Sequence, residues 1–155
     1  MPLYFPLDNR SIDEKSFDVV VYGANPGGIM SAIAAAREGA RVALIEPTDW
    51  IGGVTTAGLS ATDVNATKCS ATVVGLAKEF YQRVAKHYGT NARWQVFWSN
   101  ACGTEPHIAE AEFKKMLIEN RISVITSSEL SAVTKSGTRI TSAAFDGYGS
   151  VTADC

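Results

Sequence analysis

The six residues Gly23-Ala24-Asn25-Pro26-Gly27-Gly28 constrain this chain more than any other segment. Ahead of them, residues 18–22 (Asp-Val-Val-Val-Tyr) form a short β-branched run, the pattern of a strand buried on both faces. Behind them, residues 29–38 are rich in alanine with isoleucine, methionine and arginine, and read as a helix. Gly39 stands where a helix-ending glycine belongs. Residues 41–45 are a second apolar run, closed by Glu46-Pro47. Strand, tight turn, helix and strand in this order make a βαβ unit, whose crossover is expected to be right-handed.

The spacing of the turn points to an anion. In a GxGxxG bend the first glycine makes the turn, the second lets the backbone approach a pyrophosphate, and the third lets the helix pack close to the strand. Gly23 and Gly28 hold the first and third places, and Asn25 holds the second. A side chain there crowds a phosphate unless the loop shifts or Asn25 itself donates a hydrogen bond. The positive end of the helix still points at the anion. Glu46 follows about 20 residues beyond the turn, where a carboxylate accepts hydrogen bonds from ribose hydroxyls and repels a 2′-phosphate, which disfavours NADP. The competing reading is a glycine turn of another α/β fold, with Glu46 a solvated strand end. A second cluster, Gly52-Gly53 within residues 50–59, lets the main chain run close to a flat or phosphorylated ligand, unless it is a flexible surface loop.

The rest of the chain completes a three-layer α/β domain. Residues 48–72 are small and polar, the composition of a functional or mobile segment. Residues 73–88 place Val73, Leu76, Ala77, Phe80, Tyr81 and Val84 at helical spacing. Residues 90–105 read as irregular. Pro106 suits the first turn of another helix, with Ile108, Ala111, Phe113, Met116 and Leu117 on its apolar side. Residues 122–126 read as a third strand. Three alternating runs, 130–134, 139–145 and 150–153, are separated by glycine turns and read as a β-meander. The expected organisation is a loose arm over residues 1–16 and one Rossmann-like domain with a parallel sheet and meander over residues 17–155.

Composition narrows the function. Hydrophobic residues are 46% and charged residues 19%, which suits a globular chain. A net charge of -2 with scattered lysines and arginines argues against nucleic-acid binding. No apolar run approaches the roughly 20 residues of a membrane helix, and residues 1–17 lack a secretory pattern. A cytoplasmic location is the default expectation. Cys69, Cys102 and Cys155 are far apart and odd in number, and form no metal or redox motif. His107 can titrate near neutrality, but at a helix start a histidine is more often a capping or packing residue, and His87 reads as a solvated cation near a helix end. Cys102 reads as a loop cysteine or a cofactor neighbour. Trp94, Phe97 and Trp98 read as cavity lining or as core and interface packing.

On residues 18–59, DVVVYGANPGGIMSAIAAAREGARVALIEPTDWIGGVTTAGL, the chain resembles the opening of the FAD-dependent oxidoreductases of the glutathione-reductase-like superfamily. It is most similar to the branch whose turn reads GATPAG or a variant of it. Residues 105–110 and Met116-Leu117, and the meander followed by residues 151–154, resemble the same branch. The resemblance implies FAD as cofactor and hydride transfer to it from a small organic substrate. It places the pyrophosphate at Gly23, Ala24, Asn25, Pro26, Gly27 and Gly28, and the adenosine ribose at Glu46 with Pro47 beside it. It places the ribityl and flavin end at Gly52, Gly53 and Thr55, and the adenine at the main chain of Leu130. In such relatives another parallel strand and a substrate domain follow the meander. The expectation is therefore a site completed by a missing C-terminal region or by a second chain. The competing readings are a non-catalytic nucleotide-binding or assembly subunit, and an NAD-binding domain that leaves Gly52-Gly53 unexplained.

Overall fold

The structure, a computed structural model, describes residues 14–59, 73–88 and 105–155. Cys69, Trp94, Phe97, Trp98 and Cys102 lie outside the described residues, as do most of the expected arm and much of the segment 48–72. The chain forms two compact units. One holds the described residues 14–51 and 116–155, and the other holds 52–59, 73–88 and 105–115.

In the first unit the elements are β1 (Ser16–Phe17), β2 (Val19–Tyr22), α1 (Pro26–Arg37), β3 (Val42–Ile45), β4 (Ser123–Ile125), β5 (Leu130–Ser136), β6 (Arg139–Phe145) and β7 (Gly149–Ala153). A parallel sheet runs in the order β2-β3-β4, and a second sheet in the order β1-β7-β6-β5. β5, β6 and β7 are the expected antiparallel meander. Ser16, the last residue of the expected arm, and Phe17, the first of the expected domain, pair in parallel with Thr152 and Ala153.

Two local expectations change. The helix begins at Pro26 rather than at residue 29, so half of the glycine turn is already helical. Proline suits that first position because its missing N–H would have had no helical partner. The strand buried on both faces is β3, not β2. β3 is central in its sheet, so all four of its side chains are enclosed, whereas Tyr22 at the end of β2 is 43% exposed.

The three layers follow from strand alternation. Ala43, Ile45 and Ile125 turn to one face of the parallel sheet and pack with Phe17, Phe145 and Val151 of the second sheet. Val42 and Leu44 point the other way, toward the side where α1 lies against β2 and β3 and buries Ile29, Ala32 and Ile33 at helical spacing. Gly39, with φ +94°, takes the left-handed bend that ends α1 and returns the chain to β3.

At the start of the sheet the Asp18 carboxylate accepts the Arg41 amide at 2.7 Å and the Arg41 guanidinium at 3.2 Å. Those two bonds, the amide first, hold Asp18 below the ordinary carboxylate range. A depressed folded value contributes stability that is present above the unfolded value of about 3.9 and is lost as pH falls through the folded one. Asp18→Asn is therefore expected to lower the melting temperature by a constant, small amount above about pH 5. That gap should close as pH falls below about 4. A gap that persists unchanged in melts at low pH contradicts this.

The described residues of the second unit form a 3₁₀ turn (Gly53–Thr55), α2 (Gly75–His87) and the first part of α3 (Pro106–Glu119), whose last residues belong to the first unit. Phe80 of α2 stacks on Phe113 of α3 with ring centroids 4.1 Å apart. Glu112 is buried there and meets Arg83 at 3.4 Å and Lys115 at 3.2 Å.

Candidate functional site

The carboxyl ends of β2, β3 and β4 bring the bend, the acidic residue and the start of the meander together. This is the crevice where open α/β sheets bind ligands. Gly23 leaves β2 with φ +100°, a conformation side chains resist, and its amide donates to the Ile45 carbonyl at 2.8 Å. The loop is thereby fastened to the strand that carries Glu46.

Glu46 sits at the bend, not as a solvated strand end. It is 9% exposed, and its Oε2 accepts the Ala24 amide at 2.6 Å. Its Oε1 accepts the Thr48 amide at 3.1 Å and the Thr48 hydroxyl at 2.8 Å. Its backbone continues the sheet, donating to Ile125 at 2.8 Å and accepting from the Ser128 amide at 3.0 Å. Pro47 only ends the strand and offers no N–H.

Asn25 resolves the crowding problem at the second glycine position by turning its side chain onto the helix. It is the N-cap of α1, in extended conformation with φ -73°, and its Oδ1 accepts the Gly28 amide at 3.0 Å. Its carbonyl accepts the Ile29 amide at 2.9 Å. With Pro26 lacking a donor, the main-chain amides of Asn25 and Gly27 have no hydrogen-bond partner among the described residues. Two free donors flanking Pro26 at the positive end of a twelve-residue helix suit an anion. Gly28 is where helix and turn touch: a Cβ there would lie 2.0 Å from the Gly23 carbonyl oxygen.

At the start of the meander the Leu130 amide donates to the Tyr22 hydroxyl at 3.1 Å. The amide expected to meet adenine therefore already has a partner from the end of β2. Tyr22 and Thr48 are the two residues of this region that sequence reasoning missed. Tyr22 closes a contact 108 positions along the chain, which no local pattern signals. Thr48 could have been found from its spacing, since a threonine two residues after an acidic strand end can fold back on it.

Gly52, Gly53 and Thr55 belong to the other unit. There they form an ordered turn. Gly52 has φ +98° and a Cβ on it would fall 2.3 Å from Thr56 Cγ2. The Thr56 side chain is fully buried and its hydroxyl bonds the Gly53 carbonyl at 3.2 Å. His107 is exposed, with its ring 3.6 Å from Glu105. Among the described residues no group of histidine, cysteine and carboxylate side chains could hold a metal, and no helix is long and apolar enough to cross a membrane.

A family model described as FAD dependent oxidoreductase matches residues 18–155. A dihydrolipoyl dehydrogenase of Corynebacterium glutamicum is 60% identical over 38 residues, 24% of this chain and 8% of that protein. Among solved structures, the L-proline dehydrogenase of P. horikoshii superposes with a TM-score of 0.63 at 15% identity, over 91% of this chain and 51% of that one. The L-amino acid deaminase of Proteus vulgaris superposes with a TM-score of 0.60 at 13% identity, over 90% and 52%. At these identities the structures show a shared fold. The chain spans about half the length of each of them and a small part of the dehydrogenase.

Proposed function

The chain belongs to the FAD dependent oxidoreductase family, and from that membership we propose that its first unit grips the ADP half of FAD. FAD is the family's cofactor. The observation that carries the proposal is the Glu46 carboxylate bonded at 2.6 Å to the Ala24 amide, inside the bend that would hold the diphosphate. The described residues fit the group. The diphosphate would lie against the unpartnered amides of Asn25 and Gly27, with Gly23, Ala24, Pro26 and Gly28 shaping the bend around it. The adenosine ribose would bond Glu46, beside Pro47. The adenine would meet the main chain near Leu130.

Bound FAD supplies acceptance of a hydride from an organic substrate. The residues of this chain supply binding and orientation. The substrate is a small molecule. The Cys155 backbone lies along β2, which is an edge strand among the described residues. The Cys155 amide donates to Asp18 at 3.1 Å, and the Val20 amide to Cys155 at 3.0 Å, the pattern of a parallel ladder. Beside that edge a cavity of about 470 Å³ is lined by Val20, Tyr22, Leu130, Phe145 and Val151.

The test is flavin uptake. Purified chain titrated with FAD is expected to quench flavin fluorescence with one site per chain, and ADP is expected to compete. A chain that stays colourless and takes up neither contradicts the proposal and favours a non-catalytic module that keeps the fold. Preferential competition by NAD favours an NAD-binding domain instead.

A further inference from the structure

We propose that Thr48 is a positioning residue that sets the Glu46 carboxylate for a sugar diol. The inference rests on the reading of Glu46 as the ribose-binding group and extends it to a residue outside the recognised motif. Thr48 gives Glu46 Oε1 two donors, its amide at 3.1 Å and its hydroxyl at 2.8 Å. The Ala24 amide gives Oε2 one. Three donors on two oxygens fix the plane of the carboxylate, and they leave one lone pair on Oε2 open.

A vicinal diol needs one lone pair on each oxygen, so one of the donors on Oε1 must be able to leave. The Thr48 hydroxyl can do this. Its single proton has a second acceptor, the Trp50 carbonyl, at 3.3 Å, while its oxygen accepts the Trp50 amide at 3.1 Å. When a sugar hydroxyl arrives, the threonine proton turns from Glu46 to the Trp50 carbonyl. No group is left unsatisfied, and the carboxylate stays pinned by the two backbone amides. The Thr48 carbonyl accepts the Ser127 amide at 2.8 Å, so the threonine is itself held by the chain leaving β4. Thr48 is exposed, so removing its hydroxyl changes the carboxylate's surroundings without opening a cavity.

The experiment measures ADP affinity by calorimetry on the whole chain for wild type, Thr48→Val, Thr48→Ser and the same changes combined with Glu46→Gln. Thr48→Val, which removes the donor that competes with the sugar for Oε1, is expected to tighten ADP several-fold, and Thr48→Ser to stay within about twofold of wild type. In the Glu46→Gln background Thr48→Val is expected to change affinity little, because the charged carboxylate that the hydroxyl competes for is gone. A merely structural role would lower affinity equally in both backgrounds. A loss of affinity in Thr48→Val, or wild-type affinity in it, overturns the proposal while leaving the Glu46 reading intact. Wild-type chain that binds no ADP overturns both.

Discussion

Gly28→Ala is expected to abolish FAD uptake and to lower the melting temperature by about 6–12 °C, because the new methyl group has nowhere to go. Its Cβ would lie 2.0 Å from the Gly23 carbonyl oxygen and 3.2 Å from the carbonyl carbon. Both are backbone atoms, so no rotamer change relieves the contact. The start of α1 must lift from the bend. Overpacking a tight site costs about 1–3 kcal/mol, and a backbone clash at this distance belongs at or beyond the upper end. The lift also moves the ligand-facing donors, because the Gly28 amide is the one capped by Asn25, and the free amides of Asn25 and Gly27 ride on the same turn. Gly27→Ala is the control. Its Cβ would meet only the Asn25 side-chain oxygen, at 3.3 Å, and that oxygen can yield by a few tenths of an ångström. Circular-dichroism melts and FAD titration read both effects. Gly28→Ala protein that binds FAD as wild type does contradicts the assigned role of the bend.

Glu46→Ala is expected to weaken FAD binding on the order of a hundredfold and to destabilise the free protein as well. The affinity loss is that of two charge-assisted bonds to a sugar diol, together about 3 kcal/mol. The stability loss has a separate source. Ala24 is 1% exposed, so its amide would be stranded without the carboxylate or water, at about 1–3 kcal/mol. Glu46→Gln keeps one acceptor but brings an NH2 group against either Ala24 or Thr48, both of which are donors. It is therefore expected to fall between wild type and alanine in both measurements. FAD affinity unchanged in Glu46→Ala would place the ribose elsewhere.

The parts of the site set by local spacing were legible in the sequence. Gly23 and Gly28 bracket one turn, and Glu46 closes the next strand, so a βαβ pattern alone brings them together. The meander was legible because its strands alternate between glycine turns. What side chains do across the fold was not legible. Asn25 reads in sequence as a misfit for a glycine, and its role as a cap depends on the helix starting at Pro26, three residues before the apolar run begins. β2 and β3 are equally apolar in sequence, and only sheet order makes β3 the enclosed strand. The Tyr22 hydroxyl on the Leu130 amide joins distant segments that share no motif.

The most direct measurement of the central claim is an amide NMR titration of the isotopically labelled chain with ADP. The amides of Asn25 and Gly27 are expected to shift most, with Ala24 and Thr48 following as the Glu46 carboxylate takes up the sugar, and all four are expected to report one common dissociation constant. Saturable shifts that leave those four amides in place and gather elsewhere on the chain would contradict it.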